Sequence, residues 1–240
     1  PVIQNFTGLS IAAGNNQNIS FVTQYNFTGN VNIDVEILNV NGGADVISGN
    51  NTATYYLCLS LGGTYTINSA LPTGGTNFQS FNDAITSMSC GITSPVVFNV
   101  VAGSGPYDEQ VNIPAIAGTS SVNTITFNGN GNTLTNGITT GNYATLNLNG
   151  VDYAIFNNLV ITASDATTGF AVHLMGGSDN NSFNNCTMNA SLTGTGTTTA
   201  CVSMSGSLTS YSTTGINGSN NTFTGCTLNG GYFGFVAYGD

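Results

Sequence analysis

The sequence predicts an all-β protein built mainly as a parallel β-helix, and three observations carry that prediction. The strings DYAIFNNLVIT (152–162), DNNSFNNCTMN (179–189) and SNNTFTGCTLN (219–229) superpose without gaps. Within each, apolar and polar residues alternate at period two around a two-residue turn, the pattern of two short strands. A third strand precedes each string, as ATLNL (144–148), FAVHLM (170–175) and ACVSMS (200–205), and YFGFVAYG starts another at 232. A unit of three strands and three turns, repeating every 27 residues or so, cannot bury its apolar side alone. Stacking successive units buries a continuous column, with strands of adjacent coils paired in parallel about 4.8 Å apart.

The aligned positions define the layers. Phe156, Phe183 and Phe223 coincide, as do Leu159, Cys186 and Cys226, then Ile161, Met188 and Leu228. All are expected to point inward and pile along the axis. The second turn position reads Asn158, Asn185, Gly225. Asn and Gly share the ability to adopt positive φ, so the backbone is expected to enter the left-handed region there in every coil. The position before it reads Asn157, Asn184, Thr224, where stacked side chains can hydrogen-bond along a ladder. The insertions LTGTGTTT and LTSYSTTGING lengthen two units and are expected to leave the column at corners.

The column's start is legible too. SFNDAITSMSC (80–90) predicts a helix over about 80–89, with Ser80 as N-cap, Asp83 three residues on, and Phe81, Ile85 and Met88 on one face. Such a helix would plug the open end. SPVVFNVVAG (94–103), YDEQVNIP (107–114) and NTITFNG (123–129) would then supply the first coil. By alternation Glu109 shares the inward face of Tyr107, Val111 and Ile113, where a carboxylate without a cation would favour protonation or need several backbone N–H partners. Upstream, NISFVTQYNF (18–27), NVNIDVEILN (30–39) and NNTATYYLCL (50–59) read as antiparallel strands, like the later strands of an immunoglobulin-like sandwich. The domains expected are 1–61, part of that sandwich, and 62–240, a parallel β-helix that continues beyond the last residue shown.

The run FNDAITSMSCGITSPVVFNVVAGSGPYDEQVNIPAIAG, followed by the ladder turns, resembles the start of secreted right-handed β-helix proteins of the pectin-lyase-like fold. It is most similar to large surface proteins of Bacteroidota exported by type IX secretion. The resemblance covers roughly 62–240 and implies a right-handed β-helix with an N-terminal capping helix, at an extracellular, cell-surface location. For function it implies little, because that fold carries lyases, hydrolases, adhesins and stalks.

Composition narrows the choice. There is no Lys, no Arg and no Trp, and the formal net charge is −10. The cationic contacts that hold nucleic acid or an anionic membrane surface are therefore missing, and no apolar run is long enough for a transmembrane helix. Lyases of this fold that rely on an Arg or Lys base are excluded as well. The five cysteines form no zinc-like spacing, and their odd number leaves at least one thiol unpaired within the chain. Cys186 and Cys226 read as buried small hydrophobes, with a disulfide between them as the alternative, an awkward one in a parallel pair. Cys58 and Cys90 flank the domain junction, where a disulfide would staple the two domains.

Asp152 and Asp179 occupy the same corner of adjacent coils. Three readings stand: capping of a tight turn through the residue's own backbone, a calcium site, or the carboxylate pair of a retaining glycosidase. His173 alternates with Val172 and Leu174 and is expected to face outward. The loops 191–199 and 206–219, the second carrying Tyr211, would be contact surfaces. The preferred expectation is a structural and adhesive section of a large surface protein. It would have no catalytic residues and no cofactor, calcium at Asp152 and Asp179 being the one candidate. Its partners would be other domains of the same chain, surface glycans or cell-surface proteins. The alternative is a polysaccharide-active, glycoside hydrolase-like or carbohydrate-binding β-helix. Ice binding through Thr arrays ranks last.

Overall fold

The computed structural model describes residues 4–9, 18–20, 31–36, 43, 49, 51–137 and 140–239. The chain divides into two compact units, Pro1–Leu59 and Ser60–Asp240.

In the first unit, β1 (Val31–Glu36) and β2 (Thr52–Leu57) pair antiparallel, from Val31 opposite Leu57 to Glu36 opposite Thr52. Two of the three predicted strands thus exist as a ribbon. Most of the first, 18–27, lies outside the described residues.

The second unit is a parallel β-solenoid of about six turns. Its opening rung is β3 (Leu61–Ile67), followed by β4 (Asn77–Phe78) and α1 (Phe81–Ser87). The next coil holds β5 (Ile92–Val100), β6 (Tyr107–Asp108) and β7 (Val111–Pro114). The following one holds β8 (Ile125–Asn128), β9 (Thr133–Asn136) and β10 (Ala144–Asn149). Then come β11 (Ala154–Asn157), β12 (Val160–Ala163) and β13 (Gly169–Met175). The last two coils are β14 (Ser182–Asn184), β15 (Thr187–Asn189), β16 (Thr199–Met204), and β17 (Thr222–Thr224), β18 (Thr227–Asn229), β19 (Phe233–Ala237). Equivalent strands stack into three sheets: β4-β3-β5-β8-β11-β14-β17, β6-β9-β12-β15-β18 and β7-β10-β13-β16-β19. The column therefore opens one rung earlier than the sequence suggested, at β3. The segment 123–129 starts a new coil, because Phe98 and Phe127 are direct parallel partners.

Inward side chains repeat from coil to coil. Phe98, Phe127, Phe156, Phe183 and Phe223 form one pile, with successive ring centroids 5.0, 5.2, 4.8 and 4.9 Å apart. Tyr65 precedes it, 5.9 Å from Phe98. The first four phenylalanines are fully buried, and Phe223 packs against the same core. Aromatic pairs of this kind add about 0.5–1.5 kcal/mol each beyond the burial of their area. On the outer side of the same sheet, amides link the coils. Asn128 Nδ2 donates to Asn99 Oδ1 (2.8 Å), Asn157 Nδ2 to Asn128 Oδ1 (2.9 Å) and Asn184 Nδ2 to Asn157 Oδ1 (3.0 Å).

The corners follow backbone chemistry. Asn158, Asn185 and Gly225 have φ of 49°, 53° and 64°, the left-handed bend expected from their alternation. A Cβ at Gly225 would meet Oδ1 of Asn185 one coil below, the movable end of that side chain. A second left-handed corner, at Tyr153, Asn180 and Asn220 (φ 57°, 58° and 57°), went unread because a tyrosine occupies its first rung.

The short helix α1 is where the sequence put it. Ser80 Oγ accepts the N–H of Asp83 at 3.0 Å, and Phe81, Ala84, Ile85 and Met88 join the core of the column. Glu109 completes the helix start. Its Oε1 accepts the N–H of Phe81 (3.0 Å) and its Oε2 that of Asn82 (2.9 Å). The side chain is half-buried and takes the backbone partners its position demands.

Candidate functional site

The corner aspartates are engaged with backbone. Asp179 N–H donates to Asp152 Oδ1 at 2.7 Å, and the N–H and hydroxyl of Ser219 both donate to Asp179 Oδ1. Each carboxylate thus ties its corner to the corner one coil above. Nearby Asn181 and Asn221 do the same through amides: Asn181 Oδ1 accepts Ala154 N–H (2.8 Å), and Asn221 Oδ1 accepts Asn181 N–H (3.0 Å). These carboxylates hold backbone of the next coil, not of their own turn, so the tie is between coils and differs from the local turn capping expected. Among the described residues no cluster of three or more His, Cys, Asp or Glu side chains could hold a metal ion.

The third sheet departs from simple alternation. Ala171 and Val172 both belong to the main core, as do Cys201 and Val202. Ala144, Phe170 and Ala200 form a separate outer cluster, with Tyr143, Tyr211, Phe233 and Val236 packed against it. His173 faces outward, as alternation predicts, but it is not a surface residue; it is fully buried. The reason is the insertion after β16, which folds back across this face. Tyr143 N–H donates to the Leu208 carbonyl (2.8 Å), Gly177 N–H to that of Ile216 (2.8 Å), and Tyr211 packs on Phe233 at 4.9 Å. Tyr211 is therefore a packing residue of this strap, and the expected contact surface at 206–219 is in part an internal one.

Beneath the strap, His173 Nδ1 lies 2.9 Å from Asn147 Oδ1, and Nε2 lies 3.0 Å from Ser205 Oγ. Ser205 Oγ donates to the Ser210 carbonyl at 2.6 Å. Burial pushes the imidazole down to about 4, against a smaller upward pull from the Ser205 backbone. Beside it in register stands Ser203, whose buried hydroxyl has no hydrogen-bond partner.

A groove lies along the outer side of the second sheet. Its floor is a polar row across three coils: Asn189 Nδ2 donates to Thr162 Oγ1 (3.1 Å) and Asn229 Nδ2 to Asn189 Oδ1 (3.0 Å). The segments after β12 and β15 stack on each other at its side, and its volume is about 590 Å³. Both segments are held by local hydrogen bonds. Asp165 Oδ1 accepts the N–H groups of Thr168 and Thr167, which hold the carboxyl down at about 2. Ser191 Oγ accepts the N–H of Gly194 (2.9 Å), and Thr198 Oγ1 donates to the Thr167 carbonyl (2.8 Å). The sequence reading passed over this row, although the third residue of each second strand (Thr162, Asn189, Asn229) is polar and outward by alternation.

The cysteines divide in two. Cys58 and Cys90 are disulfide-bonded, while Cys186, Cys201 and Cys226 are free. Cys186 lies inward and its Sγ donates to the Phe156 carbonyl; burial pushes the thiol up to about 11. Cys226 repeats that bond to Phe183 one coil on, and burial also raises Cys201. No described helix is long and apolar enough to cross a membrane. Compared with known proteins, the chain matches no protein-family model, no curated protein and no solved structure. The fold alone therefore sets its class, that of parallel β-solenoids.

Proposed function

We propose that this chain is a section of a secreted cell-surface protein with a structural and adhesive role and no catalytic step of its own. The observation that carries this reading is the unbroken aromatic pile from Phe98 to Phe223, running beside an amide ladder. Close packing of that kind makes a stiff rod. A rod that lengthens by adding coils suits a stalk or fibre, and loops leaving its corners suit contact. Within the proposal the column is right-handed and pectin-lyase-like, α1 closes its first coil, and the β1–β2 ribbon belongs to an immunoglobulin-like sandwich. Export by a type IX route in a member of the Bacteroidota, and partnership with further domains of the same long chain, complete it.

The carbohydrate-binding alternative has its own support in the neutral groove over Thr162, Asn189 and Asn229. The hydrolytic version has less, because the carboxylates of Asp152 and Asp179 hold backbone N–H groups. Beads coated with the protein, tested on bacterial surfaces and on immobilised polysaccharides alongside a reducing-sugar assay, separate the readings. Adhesion without product is expected; released oligosaccharide overturns the proposal.

A further inference from the structure

We infer that residues 206–216 form an acid-releasable strap: in mild acid His173 takes up a proton beneath them, the strap lifts from the third sheet, and an apolar face is bared. The inference stands on the strap's own geometry and holds whether or not the column is adhesive.

His173 is buried from the outside. Its strand β13 lies in the middle of the third sheet, and its side chain points away from the column's interior, so the returning segment closes over it. That segment is fastened at identifiable points. The carbonyls of Leu208 and Ile216 accept the N–H groups of Tyr143 and Gly177, at 2.8 Å each, and Tyr211 packs on Phe233. Ser205 Oγ donates to the Ser210 carbonyl at 2.6 Å, and the same oxygen lies 3.0 Å from His173 Nε2. Histidine and strap therefore share one hydroxyl.

The surroundings suit a neutral ring. On its other side Nδ1 lies 2.9 Å from Asn147 Oδ1, and Asn147 Nδ2 donates to Asn112 Oδ1. These partners offer dipoles but no countercharge. Strands β7, β10, β13, β16 and β19 and residues 205–216 contain no Asp or Glu. Their titratable side chains are His173 itself, Cys201, which belongs to the main core, and Tyr211, with Tyr143 just ahead of β10. A buried imidazolium without an anion is costly, and lifting the strap returns it to water. Ser203 adds to the imbalance. It stands beside His173 in register, and its buried hydroxyl has no hydrogen-bond partner until water reaches it.

Opening leaves the column intact, because residues 206–216 contribute no strand to the three sheets. The face laid bare is the outer cluster of Ala144, Phe170 and Ala200 with Phe233 and Val236, which is separate from the main core. The sign follows from the ring, held at about 4 under the strap and returning to 6.5 in water. The closed form is fully favoured above pH 6.5 and loses ground as pH falls towards 4, so the opening constant rises about twentyfold between pH 7 and pH 5.

The test is amide hydrogen exchange at pH 7 and pH 5, each rate corrected for the pH dependence of free peptides. Tyr143, Gly177 and Gly206, whose N–H groups bond strap carbonyls, should lose protection by about that factor at pH 5. Asn158 and Asn185, whose N–H groups bond the carbonyls of Asn184 and Thr224, should keep theirs. In His173→Asn the strap amides should be equally protected at both pH values. The chain has one histidine, so its ring resonances can be followed without a variant and should titrate in step with the loosening. Strap amides that hold the same protection at pH 7 and pH 5, or a ring that titrates while they stay protected, overturn the inference. So does a loss shared with Asn158 and Asn185, which is unfolding of the whole unit, or an acid loss that survives in His173→Asn, which sets the trigger elsewhere.

Discussion

Phe156 and Phe183 lie one coil apart with ring centroids 4.8 Å from each other and planes 13° from parallel. That stacking is the solenoid's repeat seen at one position, and it gives a direct stability prediction. Phe156→Ala and Phe183→Ala should each cost about 3–5 kcal/mol, measured by urea unfolding. Phe223→Ala should cost less, since Phe223 is only partly buried. Equal, near-zero losses would mean the rings do not share a core.

Tyr153 holds φ 57° where the equivalent corners use Asn180 and Asn220. A bulky residue there carries a steric cost that asparagine relieves. Tyr153→Asn should leave the fold intact and raise stability by about 1 kcal/mol, seen as a higher unfolding midpoint.

His173 makes the second unit acid-sensitive in a defined window. Its value falls from 6.5 to about 4 on burial, so between those pH values the unfolded chain binds the extra proton. Its neutral form is fully accommodated above pH 6.5, and stability is lost as pH falls towards 4, by about 3 kcal/mol at most. Asn147 Nδ2 donates to Asn112 Oδ1 at 2.7 Å; His173→Asn, which would extend that row, should flatten the slope in melts recorded from pH 7 to 4. An unchanged slope would place the acid sensitivity elsewhere.

Asp152 and Asp179 accept backbone N–H groups from the next coil. Asp179→Ala should therefore cost about 1–3 kcal/mol, and the loss should be the same with calcium and with chelator. A calcium-dependent melt that Asp152→Asn abolishes would restore the metal reading.

Thiol labelling separates the cysteines. Cys186 and Cys201, buried and with raised values, should resist iodoacetamide at pH 8 until the protein unfolds. Three sites should then label without reductant and five with it. Non-reducing peptide mapping should recover Cys58 joined to Cys90; any other pairing would remove the proposed staple.

Much of the column was legible because its chemistry repeats in one dimension. The Phe, Cys/Leu and Asn/Gly positions aligned without gaps over 152–229, and each lies in register with its counterpart. Phe127 escaped the pile because its coil spends two further residues in its turn, where Asn130 and Gly131 take the left-handed bend, and Phe98 because its coil spends four, through Gly103. Those gaps break the alignment but not the register. The burial of His173 escaped for a different reason. Alternation assigns an outward face correctly, yet only tertiary structure shows that residues 206–216 return across it. The groove's floor could have been read from alternation; its side, set by hydrogen bonds between loops distant in sequence, could not.

The most direct test of the solenoid is ring-to-ring NOE spectroscopy on protein carrying ¹³C-labelled phenylalanine, with assignments by single Phe→Leu substitution. The account predicts contacts between Phe127 and Phe156, Phe156 and Phe183, and Phe183 and Phe223, and none between Phe156 and Phe223. Solvent-exposed rings, or contacts in any other order, would contradict it.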